Sequence, residues 1–142
     1  MRLLVTALVP LGAAAVTAHA DAGALHVRIT GFESADGALA IALFANEADY
    51  EGQTNAVRRE WLDVSGDAVE WVVENLPAGE YALIAYQDTN GNGQIDLRLL
   101  GMPKEPVGVS NNARGRFGPP RFDAAKFEVG DDEIARQHVR LR

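Results

Sequence analysis

Residues 75–96, NLPAGEYALIAYQDTNGNGQID, show most directly how this chain folds. A Pro-x-Gly turn leads into an apolar run whose successive side chains would point to opposite faces of an extended strand. The two alternating sets of this run are Tyr81, Leu83 and Ala85, and Ala82, Ile84 and Tyr86. Two Asn-Gly pairs, which are typical of tight turns, then end the run. The stretch therefore predicts a β-strand bounded by turns at both ends.

Alternation with a period of two recurs along most of the chain. The other alternating runs are residues 25–30, 38–43, 57–63, 69–74 and 138–142. Gly, Pro and Asn occur between them, and residues 45–55 predict a loop with at most one helical turn. Because no segment has the helical period over the length of a βαβ crossover, the sequence predicts an all-β fold. We expect an antiparallel β-sandwich of about seven strands, immunoglobulin-like or transthyretin (prealbumin)-like.

The alternation also predicts which side chains are buried. Four residues lie on the more apolar face of their strands and are expected in the core: Val27, Ile41, Trp71 and Leu83. Trp61 could stack on a sugar, but its strand spacing favours the core as well. Tyr50 stands beside a Gly in the predicted loop and is a candidate for an exposed contact.

The N-terminus has the features of an export signal. Arg2 precedes an apolar run over 3–16, and Ala18-His19-Ala20 is a small-x-small cleavage sequence. This predicts a signal peptide over residues 1–20 and a single β-sandwich domain over residues 21–142, in the periplasm or outside the cell. The apolar run is shorter than the roughly 20 residues that span a bilayer, so no transmembrane segment is expected.

Composition excludes several classes of function. Removal of Arg2 with the signal leaves 12 basic against 20 acidic residues, a net charge of −8, which disfavours binding of nucleic acid or of anionic membranes. The chain has no Cys, so disulfides and thiol chemistry are excluded. His26 and His138 lie in strand patterns, and no G-x-S-x-G motif surrounds Ser110. The missing catalytic groups favour a non-catalytic protein, and we also expect it to be a monomer.

The stretch QDTNGNGQID, residues 87–96, has the oxygen spacing of the first half of an EF-hand-type loop. The predicted ligands are the side chains of Asp88, Asn90, Asn92 and Asp96 and the main-chain carbonyl of Gln94. Gly93 would take the positive φ of the bend. These hard oxygen ligands favour Ca²⁺ over Zn²⁺.

The second half of such a loop is missing, because Leu99 stands where a bidentate Glu would complete the site. Glu105 and Asp123 are the nearest carboxylates that could replace it. The alternative is that the two Asn-Gly pairs only make turns, with Asp88 capping the loop through a hydrogen bond.

Residues 97–122 form a Gly- and Pro-rich stretch with little periodicity, which predicts a long structureless loop that is either functional or disordered. Its charge is +4, while the rest of the mature chain carries −12. The basic residues are Arg98, Lys104, Arg114, Arg116 and Arg121. Three interpretations stay open: ion pairs with acidic residues of the sandwich, an anion-binding face for a carboxylated or phosphorylated envelope component, or solvated charge.

The order LPAGEYALIAYQDTNGNGQID, then LGMPKEPVGVSNNARGRFGPPRF, then an apolar strand resembles a bacterial exported family, domain of unknown function 2141. The resemblance covers nearly all of residues 23–142. It implies a compact β-sandwich of transthyretin-like or immunoglobulin-like kind in Gram-negative envelopes, with no activity to carry over.

Together these features predict an envelope binding or accessory module whose weak Ca²⁺ loop orders the adjacent basic loop. Its partner would be an envelope ligand or protein, anionic if the basic face binds it. The alternative is a small hydrolase of an envelope polymer, with Asp88 and Asp96 as a carboxylate pair. Such an enzyme would need a concave pocket and an acid with a perturbed pKa.

Overall fold

The computed structural model describes residues 22–91, 93 and 105–142, so the predicted signal peptide lies outside it. The strands of the described part are β1 Gly23–Thr30, β2 Ala38–Phe44, β3 Arg58–Asp63, β4 Ala68–Leu76, β5 Gly79–Asp88, β6 Val107–Val109, β7 Phe127–Val129 and β8 Ile134–Arg140. The helices are α1 Glu47–Gly52, a 3₁₀ helix Ser110–Asn112 and α2 Phe122–Ala125. None of these helices is long and apolar enough to cross a membrane.

The strands form two sheets, which confirms the predicted all-β sandwich. One sheet has the order β4-β1-β8 and the other the order β3-β2-β5-β6, with β7 pairing with β5 as well. Every pair is antiparallel except β1 and β8, which run parallel. These two strands lie near opposite ends of the chain, so no short hairpin forces them to run antiparallel.

The main core lies between the two sheets and has no disulfide, since the chain has no Cys. All four residues predicted to be buried belong to it: Val27, Ile41, Trp71 and Leu83. Trp71 of β4 lies opposite Val27 of β1 and is 7% exposed. The period of two therefore identified the inner faces of β1, β2, β4 and β5 correctly.

A smaller apolar cluster covers part of the outer face of the larger sheet. The Tyr50 ring meets the rings of Phe44 and Phe122 edge-on, at centroid distances of 6.0 and 5.8 Å. Its hydroxyl donates to the Pro120 carbonyl at 2.7 Å, and the residue is 1% exposed. The expectation that Tyr50 is exposed is wrong. The side chain of Asn46 caps α1, and this short helix directs Tyr50 onto the sheet.

Trp61 is the second correction, because it is 51% exposed instead of buried. Its ring lies edge-on to Tyr86 at 6.1 Å, while the next residue, Leu62, packs against the core. Both faces of β3, RREWLD, carry charged residues. A single aromatic residue in this pattern therefore does not mark the inner face.

Part of the segment predicted as a structureless loop is regular. Within residues 105–122, β6 pairs with β5 through Val107 with Tyr86 and Val109 with Ile84. The fully buried Ser110 hydroxyl accepts a hydrogen bond from Leu83 N at 3.0 Å and donates to the Ala125 carbonyl. A three-residue strand is too short to show a period in the sequence.

Tyr50 gives a prediction about alkaline stability. Burial, with a smaller contribution from the charge of Glu51, raises the pKa of Tyr50 to about 12. Its pKa in the unfolded chain is about 10, so its contribution to stability is complete below about pH 10 and is lost as the pH rises towards 12. We expect Tyr50→Phe to unfold at lower urea near neutral pH, because it loses the Pro120 hydrogen bond, and to lose less stability than the wild type above about pH 10. Urea unfolding across this pH range tests this, and equal losses in both proteins would contradict it.

Candidate metal-binding site

The end of β5 and the start of β6 bring two carboxylates together. Tyr86 lies opposite Val107, and Gln87 N donates to the Pro106 carbonyl at 3.0 Å. The same antiparallel register, continued by two pairs beyond Tyr86 and Val107, places Asp88 opposite Glu105. The two residues flank a segment of which the structure describes only its first residues and Gly93.

Both carboxylates are almost completely buried, Asp88 at 2% and Glu105 at 4% exposure. Glu105 Oε1 accepts a hydrogen bond from Thr89 N at 3.1 Å, and Asp88 Oδ2 accepts one from Gly93 N at 2.8 Å. The other oxygen, Asp88 Oδ1, is buried and has no hydrogen-bond partner among the described residues. Burial of a charged oxygen without a partner is costly and rare, so this atom requires a donor or a cation.

The charges of both carboxylates affect the pKa of the neighbouring Tyr86. The pKa of Tyr86 is raised, first by burial and then by the charges of Asp88 and Glu105, against a small opposite effect of Arg59. Its hydroxyl donates to the Gly93 carbonyl at 3.3 Å. Negative charge is therefore concentrated where the loop returns to the sheet.

The glycines of the loop have the expected conformation. Gly93 has φ = 75° and Gly91 has φ = 69°, and the prediction for Gly93 is confirmed. A metal loop and an Asn-Gly turn both need a positive φ here, so this observation does not separate them. The bond from Gly93 N to Asp88 fits the turn but leaves Oδ1 unexplained.

The structure describes part of the predicted ligand set. Asn90 lies on the exposed part of the loop, whereas Asn92, Gln94, Asp96 and Leu99 lie outside the described residues. Within the described part, no three His, Asp or Glu side chains are grouped to hold a metal. Of the two carboxylates considered as the last ligand, Glu105 adjoins the site, while Asp123 lies on α2, exposed and 3.6 Å from Lys126 Nζ.

One protein-family model matches most of this chain. The model of a family described as "Uncharacterized protein conserved in bacteria (DUF2141)" matches residues 27–137. The chain belongs to the DUF2141 family. No curated protein and no solved structure matches it. The DUF2141 match includes Asp88 and Glu105 and ends three residues before Arg140.

Three of the five basic residues of the 97–122 segment can be checked for the ion pairs considered from the sequence. Arg98 and Lys104 lie outside the described residues, and Arg114, Arg116 and Arg121 are exposed. Across the described chain, no carboxylate lies within 4.0 Å of the guanidinium nitrogens of these three arginines. Pairing with acidic residues of the sandwich is therefore wrong for these three.

The residues that lie beside Arg114 were not predicted from the sequence. Arg114 borders a cavity together with Arg140 and Arg142, although the sequence had placed the C-terminal arginines only in a strand pattern. The available signal was the alternation of His138, Arg140 and Arg142, which puts three basic side chains on one face.

The groups considered for catalysis have ordinary structural surroundings. His26 and His138 belong to β1 and β8, and His138 Nε2 lies 3.0 Å from Thr30 Oγ1. Asp88 is too deeply buried for direct contact with a polymer, and Asp96 lies outside the described residues. Both histidines line a surface cavity of about 410 Å³ together with Glu70. The hydrolase alternative, which the sequence based on Asp88 and Asp96, stays a prediction.

Proposed function

We propose that this protein is an exported, non-catalytic binding or accessory module of the bacterial envelope that holds Ca²⁺ between Asp88 and Glu105. The observation that supports it is the buried Asp88 Oδ1, which has no hydrogen-bond partner in the described chain. The register of β5 and β6 places a second buried carboxylate, Glu105, opposite this residue. Calcium prefers such hard oxygen ligands and tolerates irregular coordination, whereas zinc prefers nitrogen and sulfur.

The remaining ligands come from the segment between the two carboxylates. The sequence supplies the side chains of Asn90, Asn92 and Asp96 and the Gln94 carbonyl. In this proposal Glu105 provides the carboxylate that is absent at Leu99. One ion would then join the end of β5 to the start of β6 and close the segment between them.

The ligand set implies a weak site. Two or three carboxylates and two amides suggest a dissociation constant of about 10⁻⁴ to 10⁻³ M, the range of extracellular modules. At about 1–2 mM calcium, such a site adds up to about 2 kcal/mol by mass action. Its role is local ordering of the basic segment 97–122, in the periplasm or outside the cell, where the predicted signal peptide would direct the chain.

Terbium luminescence tests the site directly. Tb³⁺ binds oxygen ligands as Ca²⁺ does and emits when a nearby aromatic ring transfers energy to it. Tyr86 adjoins both carboxylates, so we expect sensitised emission that calcium displaces and that Tyr86→Phe weakens. Tyr81→Phe is the matched control, because Tyr81 lies in the main core and should leave the emission unchanged. No sensitised emission, or emission that calcium does not displace, would argue against the site.

A further inference from the structure

A surface cavity of about 550 Å³ lies where β8 ends, and arginines form half of its lining. The lining residues are Gly31, Phe32, Arg114, Arg140, Leu141 and Arg142. The three arginines come from two distant parts of a chain whose formal net charge is −7. Their convergence in an acidic protein is the feature that needs an explanation.

The three guanidinium groups make no hydrogen bond or ion pair with the described residues. None of them hydrogen-bonds another described residue, and no side-chain or chain-terminal carboxylate of the described chain lies within 4.0 Å. Like charges around one cavity repel each other, and an anion in the cavity would offset that repulsion. The planar fork of each guanidinium matches the oxygens of a phosphate or carboxylate.

The main chain around the cavity is held in place. Asn112 Nδ2 donates to the His138 carbonyl, and Asn112 Oδ1 accepts from Arg140 N, both at 2.9 Å. Arg142 exchanges two main-chain hydrogen bonds with Val107, each at 3.1 Å. These bonds fix the backbone positions of two of the arginines before any ligand arrives, which lowers the entropic cost of binding.

Close packing of β1 against β8 shapes the wall. Gly31 has φ = 85°, and a Cβ atom there would lie 2.4 Å from the Leu141 carbonyl oxygen. Leu141 N donates to the Thr30 carbonyl at 2.8 Å. Phe32, partly buried against the core, and Leu141 add apolar surface beside the arginines. The cavity therefore combines a cationic and an apolar wall.

We propose that this cavity binds the phosphoryl group of a phosphomonoester. Three guanidiniums match a doubly charged phosphoryl group better than a single carboxylate. The volume is within the range of small-molecule sites and leaves room for an organic group against Phe32 and Leu141. The site is separate from the calcium proposal and does not depend on it.

Binding is measured by calorimetry in metal-free, low-salt buffer with inorganic phosphate, glycerol phosphate and acetate as probes. We expect both phosphates to bind more tightly than acetate, and Arg114→Gln or Arg140→Gln to weaken phosphate binding at least about tenfold. Arg116→Gln is the matched control, because it removes the same charge from the same segment outside the cavity lining and should change affinity less than about twofold. Circular dichroism confirms that each variant is folded.

A vesicle arm distinguishes the source of the phosphomonoester. Vesicles that contain phosphatidic acid are compared with neutral vesicles, using wild type and the same variants. Binding to glycerol phosphate and to the vesicles that contain phosphatidic acid, but not to neutral vesicles, supports the site with a lipid headgroup as a ligand. Binding to glycerol phosphate alone supports a soluble ligand. Equal losses in Arg114→Gln and Arg116→Gln would overturn the proposal, as would a wild type that binds no phosphate probe.

Discussion

Trp71→Ala should lower the free energy of unfolding by about 3–5 kcal/mol. Trp71 lies in the core between the sheets, opposite Val27, and its removal would leave a cavity that the surrounding strands cannot close completely. The chain contains no Cys, so no disulfide compensates for the loss.

Trp61→Ala is the matched control, because it removes the same side chain from the outer face of the other sheet. Trp61 is half exposed and contacts Tyr86 edge-on, so we expect a cost of about 1 kcal/mol or less. Urea unfolding followed by circular dichroism measures both variants. Equal costs, or a cost below about 1 kcal/mol for Trp71→Ala, would show that the two faces are wrongly assigned.

The two tryptophans also show how far the sequence predicts the fold. The alternation around Trp71 has an apolar face, so the strand and its inner side could both be read from the sequence. Around Trp61 both faces are charged, and only the packing of Leu62 against the core shows which face is inside. The parallel pairing of β1 with β8 depends on contacts between the chain ends that no local pattern encodes.

The candidate sites also combine local features that the sequence shows with contacts that only the fold brings about. The oxygen spacing that begins at Asp88 is local and could be read directly from the sequence. The position of Glu105 depends on the register of β6, a strand too short to show a period. The meeting of Arg114 with Arg140 and Arg142 depends on the packing of the 3₁₀ helix region against β8, through Asn112.

Asp88→Asn should weaken Ca²⁺ binding by about two orders of magnitude, because calcium affinity depends strongly on the number of charged ligands. The amide oxygen can still accept the hydrogen bond from Gly93 N, so the loop keeps its local bond. The substitution also removes a buried charge with an unpartnered oxygen. We therefore expect the metal-free variant to be at least as stable as the metal-free wild type.

The most direct test of the calcium site is calorimetric titration of the metal-free wild type and three variants, Asp88→Asn, Glu105→Gln and Asp123→Asn. We predict that the wild type binds with a dissociation constant of about 10⁻⁴ to 10⁻³ M and that Asp123→Asn, at an exposed carboxylate away from the site, binds equally well. Asp88→Asn and Glu105→Gln should release no measurable heat in the same range. If the wild type shows no heat, or if Asp88→Asn binds as the wild type does, Asp88 only caps an Asn-Gly turn and there is no calcium site between Asp88 and Glu105.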